Sequence, residues 1–139
     1  MERAMIPRYR AWNKATKEMH EVDDIVSIDF EKKQIYVKTL FFNQLNHYVF
    51  DAVVLMQSTG LRDKNGKEIF EGDIVDSEDG ILSGVVEFRP DLGMFVSTLI
   101  KYNNFERLCN VADSVHIIGD IYTNPELAEV KQRTNDNEK

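Results

Sequence analysis

The segment from Asp63 to Glu68 has residue types that could bind a cation. Its alternating carboxylates and its asparagine resemble the ligands of a calcium loop. A calcium loop, however, needs oxygen ligands at regular spacing that end in a bidentate acid, and Lys64 and Lys67 would repel the ion. Asn-Gly dipeptides favour tight hairpin turns. We therefore predict a structural turn at Asn65 and Gly66, and no metal site.

Glu71 and Asp73 could act as a general acid or base at the mouth of a barrel. The commoner use of Gly-Asp before an apolar strand is structural, because Gly72 permits a bend and the Asp73 carboxylate accepts hydrogen bonds from nearby amides. We predict this structural role. These residues belong to an acidic patch, which comprises Glu71, Asp73, Asp76, Glu78 and Asp79. We expect the patch to be a solvated loop. The alternatives are a docking surface for a basic protein and a decoy that mimics DNA.

The histidines and the single cysteine do not form a catalytic or zinc-binding pattern. His20, His47 and His116 lie far apart in the sequence, unlike the short paired spacings of zinc ligands. Cys109 has no histidine close to it in sequence, and we expect it to be a partly buried, small apolar residue and not a nucleophile. The sequence therefore predicts no catalytic, cofactor-binding or metal-binding residues, and we expect no enzymatic activity.

Charge argues against nucleic acid as a partner. The chain has 24 acidic and 17 basic residues and a net charge of −7, which disfavours attraction to phosphate backbones and anionic membranes. A basic N-terminal segment keeps nucleic-acid binding open as an alternative; it contains Arg3, Arg8, Arg10, Lys14 and Lys17. Aromatic residues could form a base-stacking face, although we expect them, and Trp12 in particular, to pack in the core.

The predicted elements are strands separated by turns, because β-branched and aromatic runs alternate with polar ones. Gly60, Gly66 and Gly72 stand six residues apart and mark turn positions. A short C-terminal helix is predicted from Asn124, with Pro125 at its first position. The predicted strands lie within 1–12 and at 18–22, 25–30, 34–40, 48–56, 73–76, 83–88, 94–102 and 115–122.

This spacing of strands and turns predicts a mainly β fold, a small antiparallel barrel-like domain with an SH3-like portion. We expect one domain over 1–127 and a polar, disordered tail over 128–139. The single cysteine suits a reducing compartment, and no segment is apolar enough for a signal peptide or a membrane span. The expected location is the cytoplasm.

Four segments together resemble the YopX family, whose members are encoded by phages and prophages. They are Arg8-Tyr9-Arg10-Ala11-Trp12 with the later Met19, the stretch 55–75 (LMQSTGLRDKNGKEIFEGDIV), the strand at 84–88 and the closing segment 115–127. The resemblance implies a mainly β protein of phage origin, in a host bacterial cell, with no established activity and no catalytic or ligand residues. The segments 41–48 and 101–112 match no family pattern.

We therefore expect a noncatalytic phage or prophage accessory protein that acts through protein–protein contacts, either with a protein partner or by self-association. The alternative is a nucleic-acid-associated module that uses the basic N-terminal segment. No cofactor and no membrane association are expected.

Overall fold

The computed structural model describes residues 6–39 and 44–129. By its internal packing the chain divides into two compact units, Met1–Gly60 and Leu61–Lys139. The prediction of one domain over 1–127 stays a prediction. Most of the segment expected to be disordered, 130–139, lies outside the described residues.

The first unit contains two antiparallel sheets. One has β1 at its centre, between β2 and β6, and the other has the order β3-β4-β5. Single turns of 3-10 helix precede β3 (Val22–Asp24) and β6 (Phe50–Ala52). The strands are β1 (Tyr9–Asn13), β2 (Glu18–His20), β3 (Ile25–Asp29), β4 (Gln34–Lys38), β5 (Leu45–Val49) and β6 (Val53–Arg62).

The alternation of apolar residues along the strands builds the core of the first unit. Ile35 and Val37 of β4 are buried on one face of their sheet, whereas Gln34, Tyr36 and Lys38 lie on the other. The buried residues pack with half-buried neighbours; the cluster contains Ala11, Ile35, Val37 and Val53, with Ile25, Ile28, Tyr48, Phe50 and Leu55 around them.

The second unit is built on a five-stranded antiparallel sheet. β6 runs past the unit boundary at Gly60, and β7 (Glu68–Phe70) follows it in the strand order β2-β1-β6-β7. The five-stranded sheet has the order β11-β10-β9-β8-β12. Its strands are β8 (Asp73–Asp76), β9 (Gly84–Arg89), β10 (Met94–Leu99), β11 (Phe105–Arg107) and β12 (His116–Asp120).

A short helix closes the core of the second unit. α1 (Leu108–Val111) buries its first and last residues, and a 3-10 turn, Ala112–Ser114, follows it. These apolar side chains pack with the inward-facing residues of the strands; the cluster contains Ile69, Val75, Val86, Leu108, Val111, Ala112 and Val115. The unit therefore has its own apolar core.

The predicted fold class is confirmed. Half of the described residues lie in strands, the strand pairings described above are antiparallel, and the sheets include a half-barrel. The C-terminal helical segment is a four-residue 3-10 helix, Pro125–Ala128, with Pro125 at its start. Its cap is different from the expected one, since the Asn124 side chain accepts the Asp120 amide at 3.3 Å and makes no bond to the helix.

Three details of the predicted elements were wrong. The run 48–56 was predicted as one strand, but Phe50–Ala52 divides it into β5 and β6. β5 begins at Leu45, three residues before the predicted start of a strand at Tyr48. The segment 101–112 contains β11 and α1, although helix was predicted only at the C-terminus.

Candidate functional site

An apolar groove lies in the first unit, between the segment that leads into β1 and strand β3. It encloses about 370 Å³. Its walls are mostly apolar side chains: Ile6, Pro7, Arg8, Tyr9, Val22, Ile25, Val26, Ser27 and Ile28. Ile6 and Val26 remain 76% and 48% exposed, so the groove offers uncovered apolar surface to solvent.

A β-bulge places Val26 in this groove. In the pairing of β3 with β4, Ile25 lies opposite Val37 and Ser27 lies opposite Tyr36, so Val26 is an extra residue without a partner of its own. A bulge redirects the side chain it inserts and often occurs beside functional sites. Here the extra residue keeps both Ile25 and Ile28 on the core side of the strand, and Val26 lines the groove.

The described lining of the groove is mostly apolar and carries few ionisable groups. Arg8 is the single ionisable side chain among the described residues that line it, apart from the phenol of Tyr9. Among the described residues that line the groove there is no histidine, carboxylate or thiol, and the hydroxyl groups are those of Ser27 and Tyr9. Such a groove can bury apolar side chains of another polypeptide.

A second, more polar cleft lies near β2 and β5. It encloses about 350 Å³ and is lined by Glu18, Met19, His20, Asp24, Val37, Lys38, Thr39, Asn46 and Tyr48. The His20 ring stacks on Tyr48, with 5.4 Å between the ring centres. The Asn13 side-chain amide lies 3.2 Å from His20 Nε2, in position to donate to it. The stacking and this contact together fix the orientation of the His20 ring.

The residues predicted at turns occupy backbone positions that favour glycine. Gly60, Gly66 and Gly72 have φ of 79°, 84° and 87°, in the left-handed region. Gly66 and Gly72 lie between strands as expected, whereas Gly60 lies within strand β6 and not at a turn. Asn65 lies in the loop between β6 and β7, where the Gly66 amide donates to the Asp63 carbonyl at 2.9 Å. The loop is therefore a turn with Lys64 and Asn65 at its centre, followed by a left-handed glycine.

Asp63 anchors this loop, a role that sequence reasoning missed. Its carboxylate is 6% exposed and accepts three backbone amides, those of Asn65 (2.9 Å), Lys67 (2.8 Å) and Ile117 (2.9 Å). Burial raises the pKa of this carboxyl, but the three amides and the Lys67 charge outweigh it, so the pKa lies below its ordinary value. The carboxylate joins the β6–β7 loop to β12.

Most carboxylates of the acidic patch accept hydrogen bonds from other groups of the same chain. Asp73 is 2% exposed, and its Oδ2 accepts the Phe70 amide at 2.8 Å. Asp76 accepts the Ser83 hydroxyl at 2.6 Å, and Asp79 accepts the Ser77 hydroxyl, which lowers the pKa of Asp79. A buried Asp73 cannot contact a substrate from solvent in this conformation, and these carboxylates fix turns.

The prediction that Cys109 is partly buried was wrong. It is exposed, because α1 turns Leu108 and Val111 toward the core and the residues between them toward solvent. His20, His47 and His116 lie in β2, β5 and β12. Within 6–39 and 44–129, no group of three or more His, Cys, Asp or Glu side chains is placed to share a metal ion.

The basic N-terminal segment does not present all of its charges to solvent. Arg8, Lys14 and Lys17 are exposed, but Arg10 is only 7% exposed, inside β1. Lys14 donates to the Asp51 carbonyl at 2.9 Å. Arg3 lies outside the described residues. Among the described helices none is long and apolar enough to cross a membrane.

Fold and groove together define a mainly β protein with antiparallel sheets, a half-barrel and an open apolar groove. A family model described as YopX protein matches residues 8–129. The chain therefore belongs to the YopX family, and the resemblance found in the sequence is confirmed.

Two crystal structures resemble this one. Protein EF1440 from Enterococcus faecalis is 27% identical, with a TM-score of 0.64 over 91% of this chain and 100% of that one. Protein yopX from Bacillus subtilis is 28% identical, with a TM-score of 0.58 over 86% of this chain and 96% of that one. Among curated proteins no relative matches the chain.

Proposed function

We propose that this protein is a noncatalytic accessory protein that binds another protein through the apolar groove of its first unit. One observation carries the proposal: Val26, inserted by a β-bulge, projects into an open groove whose walls are mainly apolar. Burying such side chains against a partner contributes about 1.5–3 kcal/mol for each valine or isoleucine that becomes fully covered.

The partner that fits this groove is a polypeptide segment with apolar side chains. The structural roles of two carboxylates support the noncatalytic part of the proposal. Asp63 and Asp73 are buried and accept hydrogen bonds from backbone amides. We further propose a phage or prophage origin and a location in the bacterial cytoplasm, as family membership suggests.

The test compares Val26→Asp with wild type in affinity capture from bacterial cells that express the tagged protein. A carboxylate in the groove would have to be desolvated on binding, so we expect the captured partner to fall by more than tenfold. Ile81→Asp is the matched control, because Ile81 is similarly exposed, at 54%, in a loop of the second unit.

A single stoichiometric partner that is lost with Val26→Asp and kept with Ile81→Asp would support the proposal. An identical set of captured proteins for all three chains would contradict it. Turnover of a small molecule by the purified protein would contradict its noncatalytic part. The burial of Arg10 weakens the nucleic-acid alternative, and salt-sensitive binding of DNA or RNA by the purified chain would restore it.

A further inference from the structure

Strand β5 is an exposed edge of the three-stranded sheet. In the described part of the chain it pairs with β4 on one side and with no strand on the other. Leu45 and Val49 are 53% and 48% exposed, and Asn46 and His47 are exposed as well. Natural edge strands are usually protected by lysine, proline or a bulge on the edge. β5, with the sequence Leu-Asn-His-Tyr-Val, has none of these.

The hydrogen-bond pattern shows which backbone groups point away from β4. The Thr39 amide donates to the Gln44 carbonyl, and the Phe50 amide donates to the Lys33 carbonyl. In an antiparallel ladder, hydrogen-bonded and non-bonded pairs alternate. Between these two fixed ends, the amides and carbonyls of Leu45, His47 and Val49 must therefore point outward from the edge.

These outward residues are symmetric about His47. An antiparallel strand that pairs in register with the edge would place Leu45 opposite the partner's Val49 and His47 opposite the partner's His47. The three outward residues of each copy would then exchange about six backbone hydrogen bonds. Cross-strand apolar pairs on one face add to the stability of such a ladder.

The edge is self-complementary in its apolar residues, and it carries no acidic or lysine or arginine side chain that would oppose a second copy. The whole chain has a net charge of −7, so most of its surfaces repel a copy of themselves. β5 contains no acidic and no basic residue other than His47, and its neighbours across the proposed axis are Leu and Val. We propose that β5 pairs with β5 of a second copy of this chain, giving a two-fold symmetric dimer with one continuous six-stranded sheet.

None of the residues that line the apolar groove belongs to β5, so this dimer and the groove can fail independently. The first test is sedimentation equilibrium of the purified full chain over a concentration series that reaches high micromolar values. We expect a species of twice the 16.1 kDa monomer mass. A monomer at every concentration would overturn the proposal.

Val49→Pro tests the edge pairing without disturbing the sheet. Val49 has φ −72°, which proline adopts, and its amide makes no bond to β4 because it points outward. The change removes two of the six bonds across the dimer axis, so we expect dimer affinity to fall by about tenfold or more. Circular dichroism checks that the variant keeps its fold.

Leu45→Lys puts a charge on the edge and is expected to give monomers at the same concentrations. Leu92→Lys is its matched control, since Leu92 is 41% exposed in a turn of the second unit, and it should leave the dimer unchanged. Dimers that resist both Val49→Pro and Leu45→Lys would show a different interface and overturn the proposal.

A cysteine experiment tests the register. In a Cys109→Ser background, His47→Cys would place two cysteines opposite each other about 5.5 Å apart between Cα atoms, within disulfide range. Asn46→Cys would place them two positions out of register, beyond that range. We expect a disulfide-linked dimer from the first variant under mild oxidation and none from the second. Equal cross-linking of both, or cross-linking of neither, would contradict the two-fold register.

Discussion

Replacing Asp63 by alanine is expected to be among the most destabilising single changes in the second unit. Alanine would leave three backbone amides, at Asn65, Lys67 and Ile117, without their acceptor. An unsatisfied buried donor costs about 1–3 kcal/mol, and a site this close to the surface admits water, so we take the lower part of that range. The expected loss in the free energy of unfolding is about 3–5 kcal/mol.

Asp63→Asn removes the negative charge of the side chain but keeps its size and shape, so it measures the contribution of the charge to stability. An asparagine oxygen can still accept the Asn65 and Lys67 amides, but its NH₂ group would face the Ile117 amide as a second donor. We therefore expect a smaller loss, about 1.5–3 kcal/mol. Asp113→Ala is the control, because Asp113 is an exposed acid of the same unit, and it should change stability by less than about 0.5 kcal/mol.

Urea denaturation followed by circular dichroism measures these differences as shifts in midpoint at constant slope. The pH dependence provides a second readout. Because the folded pKa of Asp63 is lowered, its stabilisation is complete above the ordinary value of 3.8 and is lost as the pH falls below it. Wild type should thus lose stability more steeply below pH 3.8 than Asp63→Asn. A loss below about 1 kcal/mol for Asp63→Ala would refute the anchoring role.

Four further changes test the packing and turn geometry. A Cβ added at Gly84 would collide with the Ser97 hydroxyl and lie 3.1 Å from the Thr98 carbonyl oxygen, so Gly84→Ala should destabilise by about 1–3 kcal/mol. Ser97→Ala alone should be neutral or stabilising, since this hydroxyl is buried without a hydrogen-bond partner among the described residues, and it should partly rescue Gly84→Ala in a double-mutant cycle. Lys33→Gly should stabilise by about 0.5–1 kcal/mol, because Lys33 has φ 56°. Gly66→Ala should destabilise by about 1–2 kcal/mol in urea melts through its φ of 84° alone, since nothing lies within 4 Å of its added Cβ.

The sequence predicted those elements whose pattern is local. β3 and β4 are rich in β-branched and aromatic residues, and a polar connector lies between them. The two strands could therefore be predicted from the local sequence. The first part of β5 was missed because Leu45, Asn46 and His47 are exposed and show no apolar alternation. α1 has only four residues, too few for a helical period to emerge, which also hid the exposure of Cys109.

The candidate site was harder to predict than the fold. Nothing in Ile25-Val26-Ser27-Ile28 shows which residue the bulge inserts, because the register with β4 decides it. The role of Asp63 depends on Ile117, which is 54 residues away in the chain. Local patterns therefore identified the Asn65-Gly66 turn but could not identify the carboxylate that fixes it.

Site-specific photocrosslinking at position 26 tests the proposed function most directly. A photoreactive phenylalanine analogue is placed at Val26, or at Ile81 as the control, in the full chain inside bacterial cells. Val26 is 48% exposed and lines the groove, so a bound protein would lie within reach of the probe. Binding in the groove predicts one covalent product with a single protein from position 26 and none from position 81. The same products from both positions, or no product from position 26, would contradict it.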